Sequence, residues 1–169
     1  LLSHSDIIES TINSSFFSAE HSEIKQAEDI AQLINKETPL IYSSYPWRFL
    51  GCFWKKFLNE NAKTHAFSNF LPEAVHNEIA GVKENDRKFV YLILRDPEEE
   101  IEDQLRLEKF SRFLKEYNNK NLLLEIGGKT RMEKILNQYI LASSVSIKLA
   151  EKLGIDPSST KVIESFKKI

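Results

Sequence analysis

A continuous apolar run, F-V-Y-L-I-L at positions 89–94, constrains the fold more than any other feature of the sequence. Strands with one solvated face alternate apolar and polar residues, whereas a run without alternation indicates a strand that is buried on both faces. Strands of this kind belong to parallel sheets, because right-handed crossover connections place helices on both faces. The run therefore predicts a buried strand in an α/β fold.

The rest of the chain repeats a pattern of strand followed by helix. Further strands are predicted at residues 40–42, 64–67 and 121–126. Helices are predicted at 46–58, from 72 onwards, at 99–117 and at 129–153, and Gly154 then precedes a last helix from 156 to 169. This alternation predicts a three-layer α/β fold with a mainly parallel central sheet flanked by helices.

The first 37 residues are predicted to be a helical linker. Residues 1–20 are rich in serine and show only one brief helical pattern, at 6–13, whereas residues 22–35 carry apolar residues at helical spacing. One compact domain is expected over residues 38–169. The chain begins with Leu1 rather than methionine, which is compatible with a fragment of a larger protein.

The composition argues against several classes of protein. The 23 basic and 25 acidic residues are interspersed, so neither a basic stripe for nucleic acid nor a polybasic cluster for a membrane surface is present. The apolar runs are far shorter than the roughly 20 residues of a membrane-spanning helix. Cys52 is the only cysteine, which excludes an intrachain disulfide and a cysteine-based zinc site. We expect a cytoplasmic protein without nucleic-acid or membrane partners.

Three polar motifs have ordinary structural explanations. The G-G-K-T sequence at 127–130 lacks the first glycine of a phosphate-binding P-loop, since Leu123 stands there, and it predicts a turn. The acidic triplet at 98–100 lies at a predicted helix start, where the helix dipole favours carboxylates, rather than in a metal site. Ser43 and Ser44 either bind a phosphate or cap the next helix, and capping is the commoner use.

Two blocks contain candidate acid and base groups. The sequence N-E-N-A-K at 59–63 ends a predicted helix, and L-P-E-A-V-H-N-E-I-A-G at 71–81 follows the next strand. We expect Glu60, His76 and Glu78 to lie around strand-to-helix junctions, where open parallel sheets place their binding crevice. By residue type alone, an exposed carboxylate and an exposed or structural histidine are the plainer interpretations.

These blocks resemble the bifunctional phosphoglucose/phosphomannose isomerases, in their C-terminal sugar isomerase (SIS) domain. The resemblance covers roughly residues 39–169. It rests on the W-K pair at 54–55 that leads into 59–63, on 71–81, and on a C-terminal block with S-V-S-I-K-L-A at 144–150, L-G-I-D-P at 153–157, V-I-E at 162–164 and Lys167. It implies an SIS-type fold, a homodimer, and interconversion of glucose 6-phosphate and fructose 6-phosphate without a metal or an organic cofactor. Mannose 6-phosphate is a second candidate substrate.

The resemblance also implies roles for three residues. Glu60 takes the place of the base that moves a proton between C1 and C2 of the open-chain sugar through a cis-enediol, which suits a carboxylate. His76 matches the ring-opening histidine, which in these dimers reaches the active site of the neighbouring subunit, and its imidazole suits proton transfer in both directions. Lys167 matches a C-terminal lysine close to the substrate, with Lys168 as the alternative.

The chain departs from the family in two respects. Residues 43–48 replace the family's glycine-rich turn with S-S-Y-P-W-R. In the family, the phosphate is bound by a Ser/Thr-rich loop and an arginine of the first SIS domain, so we expect the isolated chain to be inactive. The alternative is a non-catalytic SIS module that binds a sugar phosphate or dimerises. An unrelated doubly wound domain is disfavoured, because the P-loop and the dinucleotide-binding glycines are absent.

Overall fold

The computed structural model describes residues 22–83 and 88–169, and within them four parallel strands form one sheet. The spatial order is β2-β1-β3-β4, with bounds β1 Thr38–Ser44, β2 Phe67–Leu71, β3 Phe89–Arg95 and β4 Lys120–Glu125. The run at 89–94 lies within β3, where Val90 to Leu94 are all buried. The predicted α/β class is confirmed.

Helices alternate with these strands along the described chain. They are α1 Ser22–Ile34, α2 Arg48–Glu60, α3 Ala74–Asn77, α4 Ile101–Glu116, α5 Arg131–Leu153 and α6 Lys161–Phe166. Single turns of 3-10 helix precede α2 at Tyr45–Trp47 and follow α3 at Glu78–Gly81.

The helices form a layer on each face of the sheet. On one face, α1, α2 and α5 share a core with the sheet, in which Ile30, Trp54 and Val145 are at most 1% exposed. On the other face, α4 and α3 pack against a second core that contains Tyr42 and Tyr91. The three-layer arrangement is therefore confirmed.

Helix α1 confirms the amphipathic helix predicted at 22–35. Most of its apolar face lies in the core, since Ala27, Ile30, Ala31 and Ile34 are all at most 2% exposed, whereas Ile24 in its first turn is 52% exposed. The predicted boundary after residue 37 stays a prediction, and α1 packs on α5 of the domain that follows it. The brief helix predicted at 6–13 lies outside the described residues.

The strand predicted at 64–67 is wrong, because β2 begins only at Phe67. Residues 62–66 form an irregular connection instead, in which the Thr64 hydroxyl donates to the carbonyl of Ala62 at 3.1 Å and the Ala66 N–H donates to Asn59 Oδ1 at 2.8 Å. The strand itself is a sheet edge with Ser68 and Asn69 at its centre, so it lacks the continuous apolar run of a buried strand.

Two predicted helices are shorter than expected. The helix predicted from residue 72 is the single turn α3 followed by a 3-10 turn. The helix predicted over 156–169 is reduced to α6, because the Asp156 carboxylate accepts hydrogen bonds from the Ser158 N–H at 2.9 Å and the Ser158 hydroxyl at 2.7 Å. Such side-chain bonds to the nearby backbone stabilise a turn instead of a helix.

Candidate active site

Glu60 is the last residue of α2, and its side chain is exposed in a groove of ≈ 590 Å³. The opposite wall of this groove is the C-terminal segment, whose lining residues are Ile155, Asp156, Ser159, Thr160, Lys161, Val162 and Ile163. Within residues 22–83 and 88–169, the Glu60 carboxylate has neither a hydrogen bond nor an ion pair. A carboxylate in this state is available to a ligand in the groove.

The path of α2 places Glu60 at the amino edge of the sheet, where the strands begin. A crossover helix between two parallel strands runs back against their direction. Helix α2 therefore starts beyond Ser44, at the carboxyl edge, and returns to the start of β2, where Asn59 bonds to Ala66. The prediction that Glu60 lies at a strand-to-helix junction is wrong, because the junction there is helix to strand.

His76 lies at the opposite edge. It belongs to α3, which follows the carboxyl end of β2, and its side chain is exposed. Within one chain, Glu60 and His76 therefore lie at opposite edges of the sheet, a full strand length apart, and do not share a crevice.

The Glu78 carboxylate is hydrogen-bonded within the fold and is therefore not available as an acid or base. Its carboxylate accepts hydrogen bonds from the Tyr42 hydroxyl at 2.5 Å and from the Asn69 amide at 2.6 Å. Burial, reinforced by the bond to Glu78, raises the pKa of Tyr42 far above its usual range. These contacts hold the 3-10 turn after α3 against β1 and β2.

Lys167 lies beside the groove without lining it. The residue follows α6, is exposed, and forms an ion pair with Glu164 at 2.9 Å. Val162 and Ile163 of the same helix do line the groove. Lys168 is exposed as well and, like Lys167, does not line the groove.

Sequence reasoning missed the two lysines that line the groove, Lys63 and Lys161. Of these, Lys63 contacts the end of α2. It belongs to the same N-E-N-A-K block as Glu60 and has a positive φ of 51°. Its ammonium donates to the carbonyl oxygen of Glu60 at 2.5 Å. The signal in the sequence was its position three residues after Glu60, since a lysine there reaches the free carbonyls of a helix end.

At the carboxyl edge between β1 and β3, polar side chains bind one another. The Ser44 hydroxyl donates to Glu99, and the ammonium of Lys134 pairs with Asp96 at 2.7 Å and with Glu98 at 2.6 Å. Burial raises the pKa of Glu99, whose second carboxylate oxygen is buried and has no hydrogen-bond partner among the described residues.

The structure corrects the expected roles of Ser44 as a helix cap and of the acidic triplet at 98–100 as partners of a helix start. Ser44 occupies the N-cap position without a side-chain cap, because its hydroxyl bonds to Glu99. Two carboxylates of the triplet at 98–100 bind other side chains rather than the helix start, and the described residues contain no metal-binding cluster of three His, Cys, Asp or Glu.

The turn predicted at 127–130 is confirmed. Gly128 has φ 142°, and the Thr130 hydroxyl caps α5 by accepting from the N–H of Glu133 at 3.1 Å. The Glu133 carboxylate in turn accepts from the N–H of Lys129 at 2.7 Å. These reciprocal bonds resemble a capping box and fix the start of α5.

The fold is that of the SIS class of sugar-phosphate proteins. A solved structure of a glucose-6-phosphate isomerase-like protein from Thermus thermophilus is similar over 84% of this chain and 46% of that chain, with a TM-score of 0.68 and 18% sequence identity. At that identity the likeness establishes the fold alone.

The sequence defines the family more closely. The family described as the bacterial phospho-glucose isomerase C-terminal SIS domain matches residues 23–169, and the chain belongs to this family. The matched region contains Glu60, His76 and Lys167.

Two curated relatives share this region. Over 145 residues the chain is 32% identical to the bifunctional phosphoglucose/phosphomannose isomerase of Aquifex aeolicus, covering 85% of the chain and 45% of the relative. Over 133 residues it is 30% identical to the protein of the same name from Thermoplasma volcanium, covering 77% of the chain and 42% of the relative. The chain thus spans less than half the length of these relatives.

None of the described helices is long and apolar enough to cross a membrane.

Proposed function

We propose that the chain is the C-terminal SIS domain of an aldose–ketose isomerase that interconverts glucose 6-phosphate and fructose 6-phosphate, with mannose 6-phosphate as a further substrate. The observation that carries the proposal is the Glu60 carboxylate in its groove, which forms no ion pair with any of the described residues, in a chain of this family. A general base must reach a carbon-bound proton without competition from a fixed ion-pair partner.

In the proposed reaction, Glu60 accepts the C2 proton of the open-chain aldose, and the electrons of the broken C–H bond form a C1=C2 double bond while negative charge develops on O1. The proton on O2 passes to O1 in the cis-enediol(ate) intermediate. Glu60 then returns its proton to C1 as O2 becomes the carbonyl oxygen of the ketose. One carboxylate performs both transfers, because the two carbons are adjacent and the base stays in place. No metal or organic cofactor takes part in this chemistry.

His76 is proposed to open the sugar ring in the active site of a partner subunit. The location of Glu60 and His76 at opposite edges of one sheet supports this division, because a single chain does not bring them together. In a symmetric dimer each interface contact occurs twice, so the two sites would each combine Glu60 of one protomer with His76 of the other.

The phosphate group is proposed to bind to a first SIS domain, to which residues 1–37 would connect. The length of the curated relatives supports this proposal, since the chain covers only 45% and 42% of two of them. The isolated chain is accordingly expected to fold and dimerise, but to show negligible turnover. Measurable isomerase activity of the 169-residue chain would contradict that part of the proposal.

Lys167 is proposed to approach the substrate from α6. The support is that Val162 and Ile163 of this helix line the groove next to Glu60. The ion pair between Lys167 and Glu164 is exposed, and exposed pairs of this kind are easily exchanged for a ligand contact.

The substitution Glu60→Gln in the full-length protein tests the proposal. It removes the base and keeps the shape of the side chain, so kcat should fall on the order of a hundredfold or more while the fold is retained. Glu116→Gln, at the exposed end of α4, is the matched control and should leave kcat unchanged. Near-normal turnover of the Glu60 variant would exclude this residue as the base. No turnover by the unaltered full-length protein would favour a non-catalytic binding module.

A further inference from the structure

We infer that the polar neighbours of Glu60 in the N-E-N-A-K block are positioning residues, which hold the Glu60 carboxylate in place by attaching the end of α2 to three other parts of the fold. The inference rests on the proposed function. It concerns Asn59, Asn61 and Lys63, none of which the resemblance assigned a role.

The two asparagines attach the end of α2 to the sheet and to α5. Asn59 Oδ1 accepts from the N–H of Ala66 at 2.8 Å, immediately before β2. Asn61 Nδ2 donates to Ser146 Oγ at 2.9 Å. Ser146 is 0% exposed, and its hydroxyl donates to the carbonyl of Ser143 at 2.6 Å, so the acceptor is itself fixed within α5.

Lys63 attaches the end of α2 to the opposite wall of the groove. Its ammonium donates to the Glu60 carbonyl at 2.5 Å and to the Pro157 carbonyl at 3.4 Å. The first bond satisfies one of the free carbonyls at the helix end, and the second joins that end to the C-terminal segment. Lys63 therefore links the backbone of Glu60 to the facing wall of the groove.

These attachments matter because Glu60 is the final residue of its helix. Terminal turns fray, since their last carbonyls lack intrahelical donors. Catalytic groups must be held to within about 0.5 Å of their productive position, and a misplacement of about 1 Å can cost a hundredfold in rate. Bonds from both neighbours of Glu60 in the chain restrict the motion that fraying would allow.

The same pair of helices provides a matched control. Trp54 Nε1 donates to Gln138 Oε1 at 3.1 Å, which also joins α2 to α5, but Trp54 lies well inside α2 and away from its end. Loss of this buried bond should lower stability as loss of the Asn61–Ser146 bond does. It should not move Glu60.

The experiment compares Ser146→Ala with Gln138→Met in the full-length protein. It measures Tm, kcat and KM, and the kinetic isotope effect with glucose 6-phosphate deuterated at C2. Both variants should have a lower Tm. Ser146→Ala should also lower kcat about tenfold or more with little change in KM, and should raise the isotope effect, because transfer of the C2 proton becomes slower. Gln138→Met should leave kcat and the isotope effect at the wild-type values.

Lys63→Met provides a second variant that is expected to fold, because Lys63 is exposed. It should likewise lower kcat and raise the isotope effect, whereas Lys56→Met, on the exposed side of α2, should not. Wild-type kcat and isotope effect in both Ser146→Ala and Lys63→Met would overturn the inference and leave the proposed function intact. Absence of turnover in the unaltered full-length protein would instead refute the proposed function, and the inference with it.

Discussion

Removing the ammonium of Lys134 is expected to destabilise the fold strongly. Lys134 is 5% exposed, and its partner Asp96, which directly follows β3, is 4% exposed. The pair joins the first turn of α5 to the carboxyl edge of the sheet at 2.7 Å. In Lys134→Met, the Asp96 carboxylate stays buried with one described donor, the N–H of Glu98 at 3.0 Å.

The magnitude follows from this burial. An ion left without its partner in the interior costs about 3–5 kcal/mol, whereas replacement of both partners costs much less. Burial alone would lower the pKa of Lys134, but its bonds to Asp96 and Glu98 raise it, so attraction outweighs desolvation. A loss of this size is a large part of the roughly 5–15 kcal/mol that stabilises an ordinary domain.

Urea denaturation followed by far-UV circular dichroism measures the loss. Lys120→Met makes the same chemical change at a lysine that is 43% exposed and pairs with Glu37 at 2.6 Å, and it should cost less than about 1 kcal/mol. The double substitution Lys134→Met with Asp96→Asn should recover part of the stability. Equal losses for Lys134→Met and Lys120→Met would refute the reasoning.

Three further substitutions test stability. Glu99→Gln should raise Tm at pH 7, because burial raises the pKa of Glu99 and its ionisation therefore opposes folding. The gain in Tm over the wild type should shrink as the pH falls to about 4, because the wild-type carboxyl is then protonated and, like glutamine, uncharged. An equal gain in Tm at all pH values would contradict this. Gly154→Ala, at φ 68° in open space, should cost about 1–2 kcal/mol. Gly128→Ala should cost more in urea denaturation, because the added Cβ would lie 2.7 Å from the backbone nitrogen of Lys134.

The sequence predicted the architecture well where burial dictates the pattern. The strand β3 and the helix α5 were found nearly to the residue. A strand buried on both faces leaves a continuous apolar run, and a long amphipathic helix leaves apolar residues at helical spacing. The edge strand β2 was misplaced, since its exposed Phe67 and central Ser68 and Asn69 do not mark a core strand.

The site was predictable only in part. Glu60 and His76 were identified by resemblance, but their separation follows from parallel topology, because a crossover helix returns to the amino edge before the next strand begins. The bond between Ser44 and Glu99 joins residues 55 positions apart, and that between Lys134 and Asp96 joins residues 38 apart. No local pattern encodes such pairs, because they form only when the sheet brings distant segments together.

The most direct test of the account mixes two inactive variants of the full-length protein, Glu60→Gln and His76→Ala, after dissociation and reassociation. If each site combines Glu60 of one protomer with His76 of its partner, half of the dimers in an equal mixture are heterodimers, and one of the two sites in each is intact. The account predicts recovery of about a quarter of wild-type activity. A mixture no more active than the separate variants would contradict it.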